Sequence, residues 1–130
     1  MIYDADTAQC LARVPVTAQC WTMRLRGMIG RHFTETMDAM VFPHCNAVHM
    51  LFMSIPLDVL FLDRENRVVR IVRNLQPWHP GIFSPRAVTT VEFPAGALDG
   101  VSPGHRIEFG TFPEQKVPAI MQKGSVKNQE

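Results

Sequence analysis

The chain has 130 residues, of which 46% are hydrophobic and 19% charged, and its formal net charge is +1. This length suits one domain with one core, and the composition is that of a globular rather than a disordered protein. The balance of charges argues against a surface for nucleic acid or for an anionic membrane. No segment approaches the ~18–20 consecutive apolar residues of a membrane span. The three cysteines lack a framework spacing, which indicates free thiols in a reduced, cytoplasmic setting.

Ten prolines and eight glycines divide the chain into short segments, which favours strands over long helices. A first strand is predicted over Cys10–Val16, and a short N-terminal α-helix over Ala18–Arg26 with Thr17 as its N-cap. A tight hairpin turn is predicted at Asp63–Asn66. Further strands are predicted over Ala39–Phe42, Val48–Met53, Leu57–Leu62, Arg67–Leu75, Ala87–Phe93 and Arg106–Phe109.

The segment Gln76–Pro85 contains three prolines and one glycine, which predicts a long loop. Two bulky aromatic residues in it, Trp78 and Phe83, need somewhere to pack. We therefore predict a single, mostly β domain over residues 1–112, in which a barrel-like antiparallel or mixed sheet is closed by the helix and this loop. Residues 113–130 are rich in lysine and glutamine and are predicted to form a loosely ordered C-terminal tail.

The most informative segment is the apolar run from Val48 to Asp63, because it contains one histidine and one internal aspartate, His49 and Asp58. Burial of an ionisable group costs several kcal/mol unless the group is paired or hydrogen-bonded. Both residues should therefore have local partners, and they are candidates for a functional site.

Four blocks, in this order and spacing, resemble the family called domain of unknown function 192. They are Arg24–Arg31, Ala39–Phe42, His49–Asp63 and Val91–Gly96, and the resemblance spans roughly residues 10–110. It implies a compact, mostly β, barrel-like domain with one short helix, and it implies no reaction and no cofactor. The chain departs from the family pattern by lacking the Lys-Asn-Thr of the central run, by having Ala39 in place of glycine, and by having Gly104-His105 in place of Gly-Asp.

From these blocks and the loop we predict a cleft bordered by Arg31, His49, Asp58 and Trp78. Arg31 would clamp an anion, His49 would anchor a polar group, Asp58 would orient one of them, and Trp78 would form an apolar lid. Each residue also has a structural interpretation. Asp58 can bind backbone N–H groups or a nearby arginine, Arg31 can form a surface salt bridge, and Trp78 can fold back over one end of the sheet.

Other constellations are weaker. His44, Cys45, His49 and Met53 give a soft metal pattern, but strand alternation would put Met50 on the face opposite His49 and Met53. No metal or other cofactor is therefore predicted. Cysteine catalysis at Cys45 has no supporting oxyanion motif. Glu92 is expected to face solvent or to pair with an arginine on a neighbouring strand.

The leading hypothesis is a non-enzymatic binding domain for a small polar or anionic ligand, or for a partner segment. One alternative is a small hydrolase or transferase in which His49 acts as a base and Asp58 orients it. Another is an accessory protein for interaction or assembly. No nucleic-acid partner and no membrane are expected.

Overall fold

In the computed structural model, residues 1–18, 33–50 and 53–110 are described. These residues form ten strands in three sheets and contain no helix. The strands are β1 (Ile2–Asp4), β2 (Gln9–Ala12), β3 (Pro15–Thr17), β4 (Ala39–Pro43), β5 (Ala47–Val48), β6 (Leu57–Leu62), β7 (Val68–Leu75), β8 (Ile82–Phe83), β9 (Thr89–Pro94) and β10 (Ile107–Phe109). No helix in the described ranges is long and apolar enough to cross a membrane.

The largest sheet has five strands in the order β3-β4-β9-β6-β7. The β3–β4 pair is parallel and the other pairs are antiparallel. Strand β6 is buried along its whole length because both faces of the sheet are covered. This suits its sequence, which is apolar at every position except Asp58. The turn into β7 is held by Asp63, whose Oδ1 accepts hydrogen bonds from the backbone N–H groups of Glu65 and Arg67.

Each face of the five-stranded sheet supports its own apolar cluster. On the first face, Leu60 and Phe93 pack with Ile2 and Ile107, which belong to the three-stranded sheet β10-β1-β2. On the second face, the cluster joins strand residues such as Val59 with side chains from the two-stranded β5–β8 sheet and from irregular segments. The two small sheets thus approach opposite faces of the large one.

The expectation of a mostly β domain is confirmed, but the expected barrel closure is wrong for the described residues. Strands β3 and β7 end the five-stranded sheet and do not pair with each other. The apolar side chains of the large sheet find partners above and below it, so that the sheet has no need to close on itself. Of the predicted helix Ala18–Arg26, every residue after Ala18 lies outside the described residues, as does the whole tail 113–130.

Strands over Ala39–Phe42, Leu57–Leu62 and Arg67–Leu75 are confirmed to within a residue. The single strand predicted over Cys10–Val16 is wrong, because the chain leaves β2 at Ala12 and joins another sheet as β3. The carboxylate of Asp38 accepts hydrogen bonds from the backbone N–H groups of Arg13 and Val14, and this contact fixes the break.

Two short strands lie where other structures were predicted. Strand β5 overlaps the predicted strand Val48–Met53 only at Val48, and His49 and Met50 continue without regular structure. Its partner β8 lies inside the predicted loop Gln76–Pro85, where Phe83 pairs with Ala47 and Ile82 with Val48. The loop therefore carries the second strand of a small sheet.

Candidate functional site

Asp58 is buried on β6, with 1% of its surface exposed. Its Oδ1 accepts a hydrogen bond from the backbone N–H of Asn74 at 2.8 Å, and its Oδ2 accepts from those of Gly96 at 3.0 Å and Leu98 at 3.2 Å. A carboxylate with three backbone donors is well satisfied without a ligand. Asp58 therefore ties β6 to the end of β7 and to the turn after β9.

No hydrogen bond joins Asp58 to His49 among the described contacts. His49 is exposed and follows directly after β5. His49 borders a cavity of about 310 Å³, which lies against both strands of the β5–β8 sheet. The other lining residues are Ala47, Val48, Pro80, Gly81, Ile82 and Phe83. His49 is the only one of these residues with an ionisable side chain.

The segments that carry His49 and Trp78 are held together by their backbones. The N–H of Met50 donates to the carbonyl of His79 at 2.9 Å, and the N–H of Trp78 donates to the carbonyl of Met50 at 2.6 Å. Trp78 has a positive φ of 67° and keeps 59% of its surface exposed. The structure thus brings two of the four predicted site residues into neighbouring segments.

Gly81 is required where the two segments approach each other. Its φ is +149°, and a Cβ atom added there would lie 3.3 Å from the carbonyl oxygen of Val48 and 3.9 Å from Cβ of His49. Any larger residue would strain the backbone and press on the strand that leads to His49. The cavity therefore depends on a glycine at this position.

Arg31, the fourth predicted site residue, lies outside the described residues. The structure adds Phe83 instead, which lines the cavity and is 59% exposed. The signal for Phe83 was present in the sequence, because a large aromatic residue in a proline-rich loop either packs inward or serves a surface. The second outcome applies here.

Glu92 corrects a further expectation, since it does not face solvent and pairs with no arginine of the described strands. It lies on β9 with 6% of its surface exposed, and among the described residues its buried Oε2 has no hydrogen-bond partner. Burial raises the pKa of this carboxyl from 4.5 to about 8, so that it is mainly protonated at neutral pH. The burial of Glu92 was missed in the sequence because a pattern of alternating residues suggests a strand with one exposed face, whereas β9 is covered on both faces.

The side chains of the soft metal pattern noted in the sequence do not all lie at one surface. Met50 and Met53 both belong to the buried cluster on the second face of the large sheet, whereas His49 is exposed. The expected alternation therefore holds for His49 and Met50 but not for Met53, and none of these three residues lies in a strand.

Among the described residues, one group, Asp4, Asp6 and His105, has potential metal-ligand atoms within 4.8 Å of one another. Its atoms are already engaged in local contacts. Nδ1 of His105 donates to Oδ2 of Asp4 at 2.7 Å, and Oδ2 of Asp6 accepts from the backbone N–H of Arg106 at 2.8 Å. These bonds hold β1 to the turn before β10, which is a structural role.

Another cavity, of about 370 Å³, lies beside the β6–β7 turn. Its lining includes two acidic residues, Asp63 and Glu65, and two arginines, Arg64 and Arg86. The opposite charges balance, so this cavity has no selective field for a charged ligand.

Two solved structures share this fold. A protein of unknown function from Novosphingobium aromaticivorans DSM 12444 has 21% sequence identity and a TM-score of 0.64, over 78% of this chain and 80% of that one. A "putative transcription regulator" from Sinorhizobium meliloti 1021 has 24% identity and a TM-score of 0.67, over 82% of this chain and 88% of that one. At these identities the similarity shows the fold alone.

No curated protein matches the sequence. The family model DUF192, described as an uncharacterized ACR, matches residues 4–109. The match covers every strand except the first two residues of β1, and it includes the four sequence blocks noted above from Arg24 to Gly96. The chain therefore belongs to the DUF192 family.

Proposed function

We propose that this protein is a non-enzymatic binding domain that takes a small ligand in the cavity beside β5 and β8. The observation that supports this proposal is the cavity itself, which has one imidazole at its border and an exposed aromatic ring in its lining. Its volume of about 310 Å³ is at the small end of the ~300–1,000 Å³ usual for ligand sites. A ligand with an apolar body and one anionic group suits this lining.

In this proposal His49 and Phe83 contact the ligand directly. His49 donates a hydrogen bond to the anionic group, and the ring of Phe83 packs against the apolar body. Trp78, on the neighbouring segment, covers the ligand from the side. The role of Arg31 as an anion clamp remains a prediction from the sequence, because Arg31 lies outside the described residues. Asp58 has no direct part in this proposal, because its contacts tie β6 to the end of β7 and to the turn after β9.

The alternative of a hydrolase or transferase is less well supported. A base and the group that orients it should share a hydrogen bond, and none joins His49 to Asp58 in the described residues. The alternative of a protein-interaction role has some support, because Trp78 and Phe83 are both exposed on one segment. The description as a transcription regulator belongs to the Sinorhizobium protein. A DNA-binding role has little support in this chain, because its net charge is only +1.

The test is a titration of the purified, untagged full-length protein with benzoate, followed by NMR shifts, after native mass spectrometry has shown whether a ligand co-purifies. We expect benzoate to bind the wild type and to bind at least ~10-fold more weakly to His49→Ala and to Phe83→Ala, because each loses a direct contact. The matched control is Phe109→Ala, since Phe109 is also an exposed phenylalanine but lies on β10. Equal benzoate affinity for all four proteins would refute the proposal.

A further inference from the structure

The outer face of the β5–β8 sheet carries two rings with an open space between them. Val48 and Ile82 form a register pair and pack against the apolar cluster on the second face of the large sheet. Because side chains alternate along a strand, the next residues point outward. His49 and Phe83 then lie at diagonal positions, which in neighbouring strands are ~7–8 Å apart. Gly81, which faces His49, has no side chain to fill this space.

A guanidinium group lies beside Phe83, on the edge of β8 that faces away from β5. The N–H of Ser84 donates to the carbonyl of Asn46, so in this antiparallel ladder the carbonyl of Phe83 points away from β5. Nη1 of Arg70 donates to that carbonyl at 3.4 Å. Arg70 comes from β7, where its register partner is Phe61, a member of the same apolar cluster. The order across this surface is therefore His49, Phe83 and Arg70.

Arg70 has donors to spare for a ligand. It is exposed, and no ion pair joins it to a carboxylate of the described residues. A guanidinium group has five N–H donors, and the contact with Phe83 uses one of them. The planar fork of an arginine matches a carboxylate with two parallel hydrogen bonds. The cavity lining contains no acidic residue, so the lining itself does not repel an anion.

We propose that the ligand of this cavity carries two carboxylates at opposite ends of a flat apolar body, and that Arg70 binds the second one. His49 holds the first carboxylate, and the apolar body occupies the space over Gly81 against the ring of Phe83. Arg70 thereby selects dicarboxylates over monocarboxylates. This inference rests on the function proposed for the cavity, and it adds both the class of ligand and the residue that determines the specificity.

The test compares three probes that share one aromatic ring. Benzoate has one carboxylate, terephthalate has two at opposite ends of the ring, and phthalate has two side by side. Each is titrated by NMR against the full-length wild type and Arg70→Met at neutral pH. Terephthalate should bind the wild type at least ~10-fold more tightly than benzoate, because it gains a charge-assisted pair of hydrogen bonds. Phthalate should gain nothing over benzoate, and Arg70→Met should lose the preference for terephthalate while its benzoate affinity stays unchanged.

Arg64→Met is the matched control, because Arg64 is also exposed and without an ion pair in the described residues but lies in the β6–β7 turn. It should keep the wild-type preference for terephthalate, and its loss there would reduce the effect to general charge. Equal binding of benzoate and terephthalate by the wild type would overturn the inference and leave the proposed function standing. So would an Arg70→Met variant that weakens both probes equally, since Arg70 would then only hold β8 in place. A wild type that binds neither probe refutes the proposed function itself. Should Arg70→Met fail to fold, Arg70→Gln, which keeps an N–H donor for Phe83, replaces it.

Discussion

Replacing Glu92 with glutamine should remove a pH dependence from the stability of the folded protein. Burial raises the pKa of Glu92 from 4.5 to about 8 in the folded state, whereas in the unfolded chain the carboxyl is in water and ionises near its ordinary value. Between these two pH values the folded protein holds a proton that the unfolded chain has lost. The free energy of unfolding therefore falls as pH rises, by about 1.4 kcal/mol per pH unit and by about 5 kcal/mol across the interval. This contribution is fully present below pH 4.5 and is lost by about pH 8.

The assay is urea unfolding, followed by circular dichroism, at one-unit steps from pH 5 to pH 9. Glu92→Gln should show a smaller loss of stability between pH 5 and pH 8 than the wild type, because glutamine does not ionise. Glu65→Gln is the matched control, since Glu65 is exposed in the β6–β7 turn, and it should keep the wild-type slope. If the wild type and Glu92→Gln have parallel profiles over this range, Glu92 ionises at its ordinary pH and our account of its burial is wrong.

Two further substitutions test the contacts around the candidate site. Asp58→Ala leaves three backbone donors without their acceptor, and we expect a loss of about 3–5 kcal/mol in urea unfolding. Asp63→Ala, in an exposed turn, should cost less, and an equal loss would contradict the assigned role of Asp58. Gly81→Ala should lower the free energy of unfolding by about 1–2 kcal/mol, because its φ of +149° disfavours a side chain and a Cβ would crowd Val48. Urea unfolding checks this value, and an unchanged midpoint would mean that the β5–β8 segments adjust freely.

The parts of the fold that the sequence predicts well are those with a strong local pattern. The buried run Leu57–Leu62 and its return strand are separated by a turn that Asp63 stabilises through its own neighbours. Strand β1 has only three residues, and its partner β10 is more than 100 residues away. No local sequence pattern could therefore predict that these two strands pair.

Some residues of the candidate site could likewise be identified from the sequence, and others could not. His49 and Trp78 stand out by residue type within an apolar run and a proline-rich loop, so the sequence could single them out. The sheet formed by β5 and β8 has two residues in each strand, and it depends on contacts between distant segments rather than on strand propensity. Glu92 is buried because other segments of the chain pack on both faces of β9. The residues next to Glu92 in the sequence do not show which distant segments pack there.

The pairing of β1 with β10 also affects how the protein can fold during synthesis. Tyr3 pairs with Cys10 on one side and with Glu108 on the other, so the first hairpin can form as soon as it leaves the ribosome. The outer edge of β1 must then wait until the chain has been made to residue 109. Ile2 and Leu11, which belong to the first apolar cluster, are without much of their packing during this interval. A nascent chain stalled before β10 should therefore expose an unpaired edge and be prone to aggregation or to chaperone binding.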